Sequence, residues 1–399
     1  MNAQEWRAVF ALGAVYALRM MGMFMVLPVF ALYARELPLP AQAWQAGLAI
    51  GIYGLSQAVL QIPMGMASDR FGRKPVIVIG MLIFAAGSWL AGSTQDIHWI
   101  IAGRALQGAG AVSSAVAALL SDVTRDSVRT TAMALLGAGM GLAFVLALVL
   151  GPIVAGYIGV DGIFHLTAVL AILSLPVVVF GVPTPDAPPS RSGSLREVLA
   201  DPQLLGLNGG IFLLHATMTA VFTVVPLAIV ETLDLASAQH WKLYLPVLLI
   251  SLIPVFPLIR MAEHGGRFKT AFLLAIATLG LSMLLAATGH ALTSILIAAL
   301  LLYFIAFNFL EGALPSLISR MAPPAQKGAA LGVYSSAQFL GAFAGGSLGG
   351  LSVQHGGIGG GFAAALAFPL VWLLIARAFK PPAMRPEARA ESLRPPATT

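Results

Sequence analysis

Residues 65–74 read G-M-A-S-D-R-F-G-R-K, a charged segment between two apolar stretches near residues 44–67 and 75–94. An apolar helix needs about 20 residues to cross a membrane, and both stretches reach that length. Gly72 allows a tight turn in this segment, and Gly65 permits close approach of a neighbouring helix. The segment is therefore predicted to be a tight loop that joins two membrane-spanning helices.

The rest of the chain has the same apolar character. Of its 399 residues, 58% are hydrophobic and 10% are charged, whereas a soluble globular protein carries roughly 25% charged residues. This composition excludes a water-soluble globule and predicts an all-α integral membrane protein with twelve transmembrane helices. The predicted spans lie near residues 8–33, 44–67, 75–94, 98–121, 130–155, 162–182, 203–230, 241–259, 269–289, 292–319, 327–352 and 358–379.

A polar segment with five prolines, between Pro183 and Pro202, divides the spans into two sets of six. Such a composition is typical of a linker. We assign residues 1–183 to an N-terminal six-helix bundle, 184–202 to a cytoplasmic linker, 203–380 to a C-terminal six-helix bundle and 381–399 to a cytoplasmic tail.

The two halves resemble each other at an offset of about 198 residues. M-F-M-V-L-P at residues 23–28 aligns with V-F-T-V-V-P at residues 221–226. After a small gap, three residues of the first loop have counterparts in the second half: Asp69, Gly72 and Arg73 correspond to Glu263, Gly266 and Arg267. Several matches in register favour duplication and predict two pseudo-symmetric bundles, an architecture typical of transporters with a site at the bilayer midplane.

Basic residues are concentrated in alternate segments of the chain. Of the 22 Lys and Arg, 18 fall in the N-terminus, in alternate loops or in the C-terminal tail, and the intervening loops carry only Arg35 and Lys242. Because retained positive charge marks the cytoplasmic side, both termini are predicted to be cytoplasmic. The net charge of +6 therefore reflects topology, and we expect no nucleic-acid partner.

Several other function classes lack the residues that they need. The chain has no cysteine, which excludes disulfides and thiolate metal sites. It contains no phosphate-binding loop, zinc-protease motif, nucleophile elbow or dinucleotide fingerprint. We expect no metal, no cofactor and no enzyme activity. A membrane enzyme or a receptor is the alternative of a different class, and the few intramembrane ionisable residues and short loops argue against it.

Three motifs together resemble those of one family. The segment at residues 65–74 resembles the loop signature of the major facilitator superfamily, and I-A-G-R-A-L-Q-G-A-G at 101–110 resembles its second signature. G-P-I-V-A-G at 151–156 is similar, through Gly151, Pro152 and Gly156, to the signature of the drug:proton antiporter group, with Ala155 in place of a glycine. Three further runs, at residues 19–28, 49–58 and 332–341, resemble bacterial inner-membrane members that carry an extra soluble C-terminal domain, whereas this chain ends about 20 residues after its last span.

The resemblance implies the major facilitator fold and a place in the bacterial inner membrane. It implies secondary active transport by alternating access, with proton-coupled efflux of small amphipathic or drug-like compounds; export of a sugar or other metabolite stays open. The expected partners are a small-molecule substrate, protons and lipid, and the protein is expected to be a monomer.

The resemblance also implies a gate at the cytoplasmic side. Asp69 would face the start of the eleventh predicted span, near residue 327, and Arg73 would pair with Asp122, so that these contacts hold the outward-open state together. The other residues of this predicted gate are Gly65, Arg70 and Gly72.

Four ionisable residues lie well inside predicted spans. Of the 16 acidic residues only Glu311 does so, and an intramembrane carboxylate is a functional candidate because its charged form is costly in lipid. Glu311 is either a proton carrier or the structural partner of Arg19, which lies about 18 Å into span 1. Arg104 needs a cavity or a partner at its depth, and His215 either exchanges protons or packs with a hydrogen bond.

Four uncharged residues are candidates for a cavity. Gln57 and Gln61 lie one turn apart on span 2, and Asn308 precedes Glu311 by three residues, so each pair shares a helix face. They either line a cavity or bond helix to helix. Met23, in a methionine-rich part of span 1, either lines a pocket for varied apolar ligands or fills a lipid-facing surface.

Overall fold

The computed structural model describes residues 1–183, 195–263, 267–323 and 326–380, and within these ranges the chain is helical and has no strand. The helices are α1 (Ala3–Glu36), α2 (Ala43–Phe71), α3 (Arg73–Gly92), α4 (Ile97–Ala109), α5 (Ser113–Asp122), α6 (Asp126–Pro176), α7 (Leu195–Ala200), α8 (Pro202–Leu233), α9 (Trp241–Glu263), α10 (Phe268–Gly289), α11 (Thr293–Met321) and α12 (Lys327–Ala376). A π-helical turn, Val177–Gly181, extends α6, and a 3₁₀ turn, Ser237–Gln239, precedes α9.

The long helix α6 is a hairpin that turns at Gly159, where φ is 73° and ψ is 173°. A Cβ on Gly151 would lie 2.5 Å from the carbonyl oxygen of Met25, and one on Gly22 would lie 2.5 Å from the side chain of Thr167. In a straight helix residues 151 and 167 would be about 24 Å apart, but their partners on α1 are separated by less than one turn. The chain therefore reverses direction at Gly159.

The second half repeats this hairpin in α12. Gly357 has φ of 62° and ψ of −160°. On its two sides Gly349 packs against Ala220 and Gly361 packs against Val224, one turn further along α8. Gly159 and Gly357 are 198 residues apart, the offset at which the sequence repeats, and both backbones occupy a region that L side chains rarely adopt.

Twelve crossings result from these elements. Nine helices among the described residues are long and apolar enough to cross a membrane; two of them are the hairpins, which cross twice, and the pair α4 and α5 adds one more crossing. The prediction of a twelve-helix all-α fold is thus confirmed.

The prediction of one continuous span near residues 98–121 was wrong, because α4 ends at Ala109 and α5 begins at Ser113. The break falls at Gly110, where α3 approaches so closely that a Cβ would meet the backbone of Gly80. At the break the carbonyl oxygen of Gly110 accepts a hydrogen bond from the guanidinium of Arg19.

One end of the molecule, which we call the basic face, carries both ends of the described chain. Lys74 Nζ donates to the carbonyl oxygen of Val182 at 2.6 Å, and Lys269 Nζ donates to that of Arg377 at 2.7 Å; each contact joins residues 108 positions apart. The same interaction thus closes the last helix of each half onto its third span, which supports the duplication. At the same face Arg125 binds the buried carboxylate of Glu5 at 2.8 Å.

The two bundles meet at the other end, which we call the opposite face. There α2 and α12 are in backbone contact: a Cβ added to Gly47 would lie 2.8 Å from Cα of Gly350, and the backbone N–H of Ala43 donates to Gln354 at 3.0 Å. Toward the basic face, a Cβ at Gly328 or Gly332 of α12 would meet nothing within 4 Å. The bundles are therefore in contact at the opposite face, whereas α12 has open space beside Gly328 and Gly332 near the basic face.

The predicted division into segments falls partly outside the described residues. The tail at 381–399 and linker residues 184–194 are outside them, as is Gly266. The rest of the predicted linker contains α7, and α8 begins at Pro202.

Candidate functional site

A narrow cavity lies between the two bundles. Its volume is about 30 Å³, room for one or two water molecules. Its walls come from α1, α2, α4, α6, α8 and α12, and most of them are apolar. Thioethers and aromatic rings line it, from Met20, Met23, Phe24, Met140, Met218 and Phe339. Met23 thus lies on the predicted pocket, and any larger occupant requires the bundles to move apart.

Arg19 of α1 is buried in a hydrogen-bond network of the first bundle. Its guanidinium donates to Gln57 at 2.6 Å, to the hydroxyl of Tyr53 at 2.8 Å and to the hydroxyl of Ser113 at 3.2 Å. With the Gly110 carbonyl at 3.1 Å, the network ties α1 to α2 and to the break between α4 and α5. All of these acceptors are neutral.

Arg104 of α4 is the second buried guanidinium, and it lines the cavity. It donates to Gln107 at 2.6 Å and to the backbone carbonyls of Ala49 at 3.1 Å and Ile50 at 3.4 Å. The Tyr53 ring lies 5.1 Å from its guanidinium carbon, within the range of a cation–π contact. Arg104 therefore fastens α4 to α2 without a carboxylate.

The polar groups of the second bundle are fewer. His215 of α8 lines the cavity, and its Nε2 lies 2.7 Å from the amide nitrogen of Gln338 on α12. In this pairing the amide nitrogen of Gln338 donates and Nε2 of His215 accepts. The Glu311 carboxylate of α11 lies 3.9 Å from the same Nε2, so α8, α11 and α12 converge on one histidine.

Tyrosines from both bundles surround Glu311. Tyr16 of α1, Tyr303 of α11 and Tyr334 of α12 all lie within electrostatic range of its carboxylate. Tyr16 is also close to Arg19 and Ser113. Glu311 thus lies within electrostatic range of Tyr16, a first-bundle residue that is itself close to Arg19.

The loop after α2 forms a compact ionic cluster at the basic face. Arg73 donates through Nε to Asp122 at 2.9 Å, pairs with Asp69 and donates to Ser68 at 2.7 Å. Gly72 makes the turn with φ of 95°. The Arg73–Asp122 geometry is the one that the resemblance implied.

Two further residues of the predicted gate are Asp69 and Arg70. Among the described residues, no hydrogen bond or ion pair joins Asp69 to the start of α12, whose near glycines face open space, so that contact stays a prediction for another conformation. Arg70 is exposed and lies against the ring of Phe71 at 5.4 Å.

The glycines of the third motif allow close helix approach. Gly151 brings α6 against the α1 backbone beside the cavity, and Pro152 lies within α6 next to it. Gly156 leaves room for Ala238 of the second half, whose Cβ would be 2.7 Å from an added methyl. Gly156 is therefore part of the closure at the opposite face.

A family model described as Major Facilitator Superfamily matches residues 12–346 of the chain. The chain belongs to the major facilitator superfamily. Inner membrane transport protein YajR of Escherichia coli (strain K12) is 42% identical over 388 residues, which are 96% of this chain and 85% of YajR. Multidrug resistance protein MdtH of Aeromonas hydrophila is 27% identical over 322 residues, 78% of this chain and 79% of MdtH.

A solved structure shares the fold. A bacterial homolog to the human lysosomal transporter Spinster, in an inward-facing and unoccupied conformation, has a TM-score of 0.76 and 15% identity, covering 95% of this chain and 98% of that one. This major facilitator protein is therefore a multi-pass membrane transporter and not an enzyme.

In this major facilitator protein, two of the four cavity candidates, Gln57 and Asn308, bond helix to helix, and a third, Gln61, bonds to Gln57 within α2. Gln57 joins the Arg19 network and donates to Gln61 at 2.8 Å. Asn308 donates to Ser251 of α9 at 3.1 Å. None of these three is among the residues that line the cavity in the described part of the chain.

The alternative of an ion pair between Glu311 and Arg19 does not match the geometry. Arg19 directs its hydrogen bonds to hydroxyl, amide and carbonyl groups, and within the described chain the two charges form no ion pair.

Sequence reasoning missed Tyr53, Ser113 and Gln338. Each is a polar residue inside an apolar span, and Gln338 and Tyr53 lie in runs that resemble known transporters. Their polar side chains inside apolar spans could have identified these three residues from the sequence.

Proposed function

We propose that this protein is a proton-coupled secondary transporter of the drug:proton antiporter group that exports small amphipathic compounds. One observation carries the proposal: Glu311, the one carboxylate well inside a span in the described part of the chain, lies 3.9 Å from a histidine that lines the cavity. A carboxylate at such a depth can exchange a proton when water reaches it from either side.

Alternating access follows from the way the bundles meet. The contact of α2 with α12 closes the opposite face, and the open glycines of α12 leave the basic face accessible. Rocking of one bundle against the other would open the first contact and bring the loop cluster at Asp69 and Arg73 toward α12. The cluster would then act as the latch of the alternate state.

The lining of the cavity supports amphipathic substrates over sugars. Thioethers and aromatic rings provide most of the wall, and flexible thioethers adapt to varied apolar shapes. Sugar recognition requires a denser set of polar groups facing the ligand.

The coupling is tested with purified protein in proteoliposomes under an imposed pH gradient. Amphipathic compounds are added and the collapse of the gradient is followed with a pH-sensitive dye. One proton driven by about 100 mV supplies about 2.3 kcal/mol, enough to sustain a gradient of more than tenfold in a monovalent exchange.

Two variants give the comparison. Glu311→Gln should abolish the gradient-driven flux, whereas Glu36→Gln, at the exposed end of α1, should leave it unchanged. Flux that does not depend on the pH gradient, or full coupling in Glu311→Gln, would refute the proposed role of Glu311 as proton carrier.

We further propose that the protein is a monomer in the bacterial inner membrane with its basic face in the cytoplasm, since positive charge is retained there. The chain has no cysteine, so single cysteines report cleanly. In intact cells an impermeant maleimide should label Gln95→Cys, between α3 and α4, and should spare Ser127→Cys at the start of α6. The reverse pattern would invert the orientation.

A further inference from the structure

Two guanidinium groups deep in the first bundle, those of Arg19 and Arg104, form no ion pair with a carboxylate among the described residues. Arg19 is 2% exposed and Arg104 is 1% exposed. Their hydrogen-bond acceptors are hydroxyl, amide and backbone carbonyl oxygens, and neither forms an ion pair among the described residues. Nε of Arg19 is buried and has no acceptor. Neutral dipoles reduce the cost of burying these charges, but they leave the net charge in place.

The second bundle does not balance this charge. Glu311 is the one carboxylate at this depth in the described spans, and His215 cannot supply a negative charge because an imidazole is either neutral or cationic. Arg19 and Arg104 carry two positive charges, and Glu311 carries at most one negative charge. At least one positive charge therefore remains even when Glu311 is ionised.

The uncompensated charge faces the cavity through Arg104. A guanidinium has five N–H groups, and the bonds of Arg104 to Ala49, Ile50 and Gln107 use three of them. The other two form no hydrogen bond among the described residues, and Arg104 belongs to a cavity wall that otherwise consists mainly of thioethers and rings. The arrangement combines one positive pole with an apolar surface.

We propose that the central cavity, widened by movement of the bundles apart, is a site for amphipathic organic anions, whose carboxylate or sulfonate binds Arg104 while the apolar body lies against Met20, Met23, Phe24 and Met218. The bound anion supplies the counter-charge that the fold omits, and an amphipathic cation of the same size is repelled. This inference rests on the proposed transport function and narrows its substrate class.

The test uses three probes with one ring system and different charge: 2-naphthoate, neutral 2-naphthamide and 2-naphthylmethylammonium. Binding to the full-length protein in a nonionic detergent is measured by calorimetry, and titration of empty micelles is subtracted. Naphthoate should bind at least about tenfold more tightly than the ammonium compound, because like charges in a desolvated site repel strongly.

Three variants locate the charge. Arg104→Gln should abolish the preference for naphthoate, and Arg104→Lys should retain it in part because the charge remains. Arg260→Gln removes an exposed arginine at the end of α9 and should leave the preference unchanged. If Arg104→Gln does not fold, the charge preference of the unmodified protein decides the question alone.

Equal or weaker binding of naphthoate, an unchanged preference in folded Arg104→Gln, or no binding of any probe at about 1 mM overturns the proposal. The proposed proton-coupled transport can be refuted independently of the anion site. Proton-independent flux with an intact preference for naphthoate would refute the coupling but not the anion site, and proton-driven flux without charge preference would do the reverse.

Discussion

Closure at the opposite face depends on glycines where α2 crosses α12, and Gly47→Ala should open it. The added Cβ would lie 2.8 Å from Cα of Gly350 and still closer to the carbonyl of Gly346, whereas ordinary contact begins near 3.4 Å. Both neighbours are backbone atoms, so no side chain can rotate away. The helices must separate by at least about half an ångström, with loss of dispersion contacts along the crossing.

Overpacking of this kind costs about 1–3 kcal/mol. The cost applies only to conformations in which α2 and α12 are in contact at this face. The equilibrium between closed and open should therefore shift by about 5- to 150-fold toward the conformation open at the opposite face.

Double electron–electron resonance measures this shift directly. The chain contains no cysteine, so spin labels at Leu39→Cys and His355→Cys report the separation of the bundles at the opposite face. Both positions are exposed. In Gly47→Ala the population at the longer distance should increase.

Gly356→Ala is the matched control, since a Cβ at this position of α12 meets nothing within 4 Å. It should leave the distance distribution as in the unmodified protein. Identical distributions in Gly47→Ala and Gly356→Ala would refute the role of the glycine crossing in closure.

Three further predictions concern stability and are measured by thermal unfolding in detergent. Gly159→Ala and Gly357→Ala should each lower stability by about 1–3 kcal/mol, because both impose the same disfavoured backbone region on alanine; a loss at one position only would contradict the structural equivalence of the hairpins. Asp122→Asn should cost about 2 kcal/mol, since it removes a charge-assisted hydrogen bond from the buried Arg73, and unchanged stability would refute the contact. The backbone N–H of His98 holds the pKa of Asp96 below its usual 3.8, so the stabilisation is present above about pH 4 and is lost as the pH falls through the lowered pKa; Asp96→Asn should flatten that acid dependence, and an unaltered profile would refute it.

The spans could be predicted because lipid imposes a simple rule of length and apolarity, and the duplication could be predicted because aligned motifs recur. The hairpins at Gly159 and Gly357 lie in short gaps between predicted spans, so their position followed from the same rule. The break at Gly110 could not be predicted, since it depends on the close approach of α3 at Gly80. Apolar pattern carries no information on such contacts.

The site was predicted as a set of residues but not as an arrangement. Arg19, Arg104, His215 and Glu311 were identifiable because charge inside a span is rare. Their partners were not, since the hydrogen bonds of Arg19 to Gly110 and Ser113 join residues 91 and 94 positions apart. Only the packing of α1 against the broken span determines them.

The placement of charge follows the duplication in a way that bears on coupling. Ser113 and Glu311 are 198 residues apart, so they occupy equivalent positions, as do Arg19 and the buried Thr217. In the first bundle Arg19 donates to the neutral hydroxyl of Ser113. In the second bundle the position equivalent to Ser113 is occupied by the carboxylate Glu311. A complete ion pair inside one bundle would move with that bundle as a rigid body and could not distinguish between conformations. With the charges divided between the bundles, their separation would change in the proposed rocking motion, and protonation of Glu311 would then alter the energy difference between the two conformations.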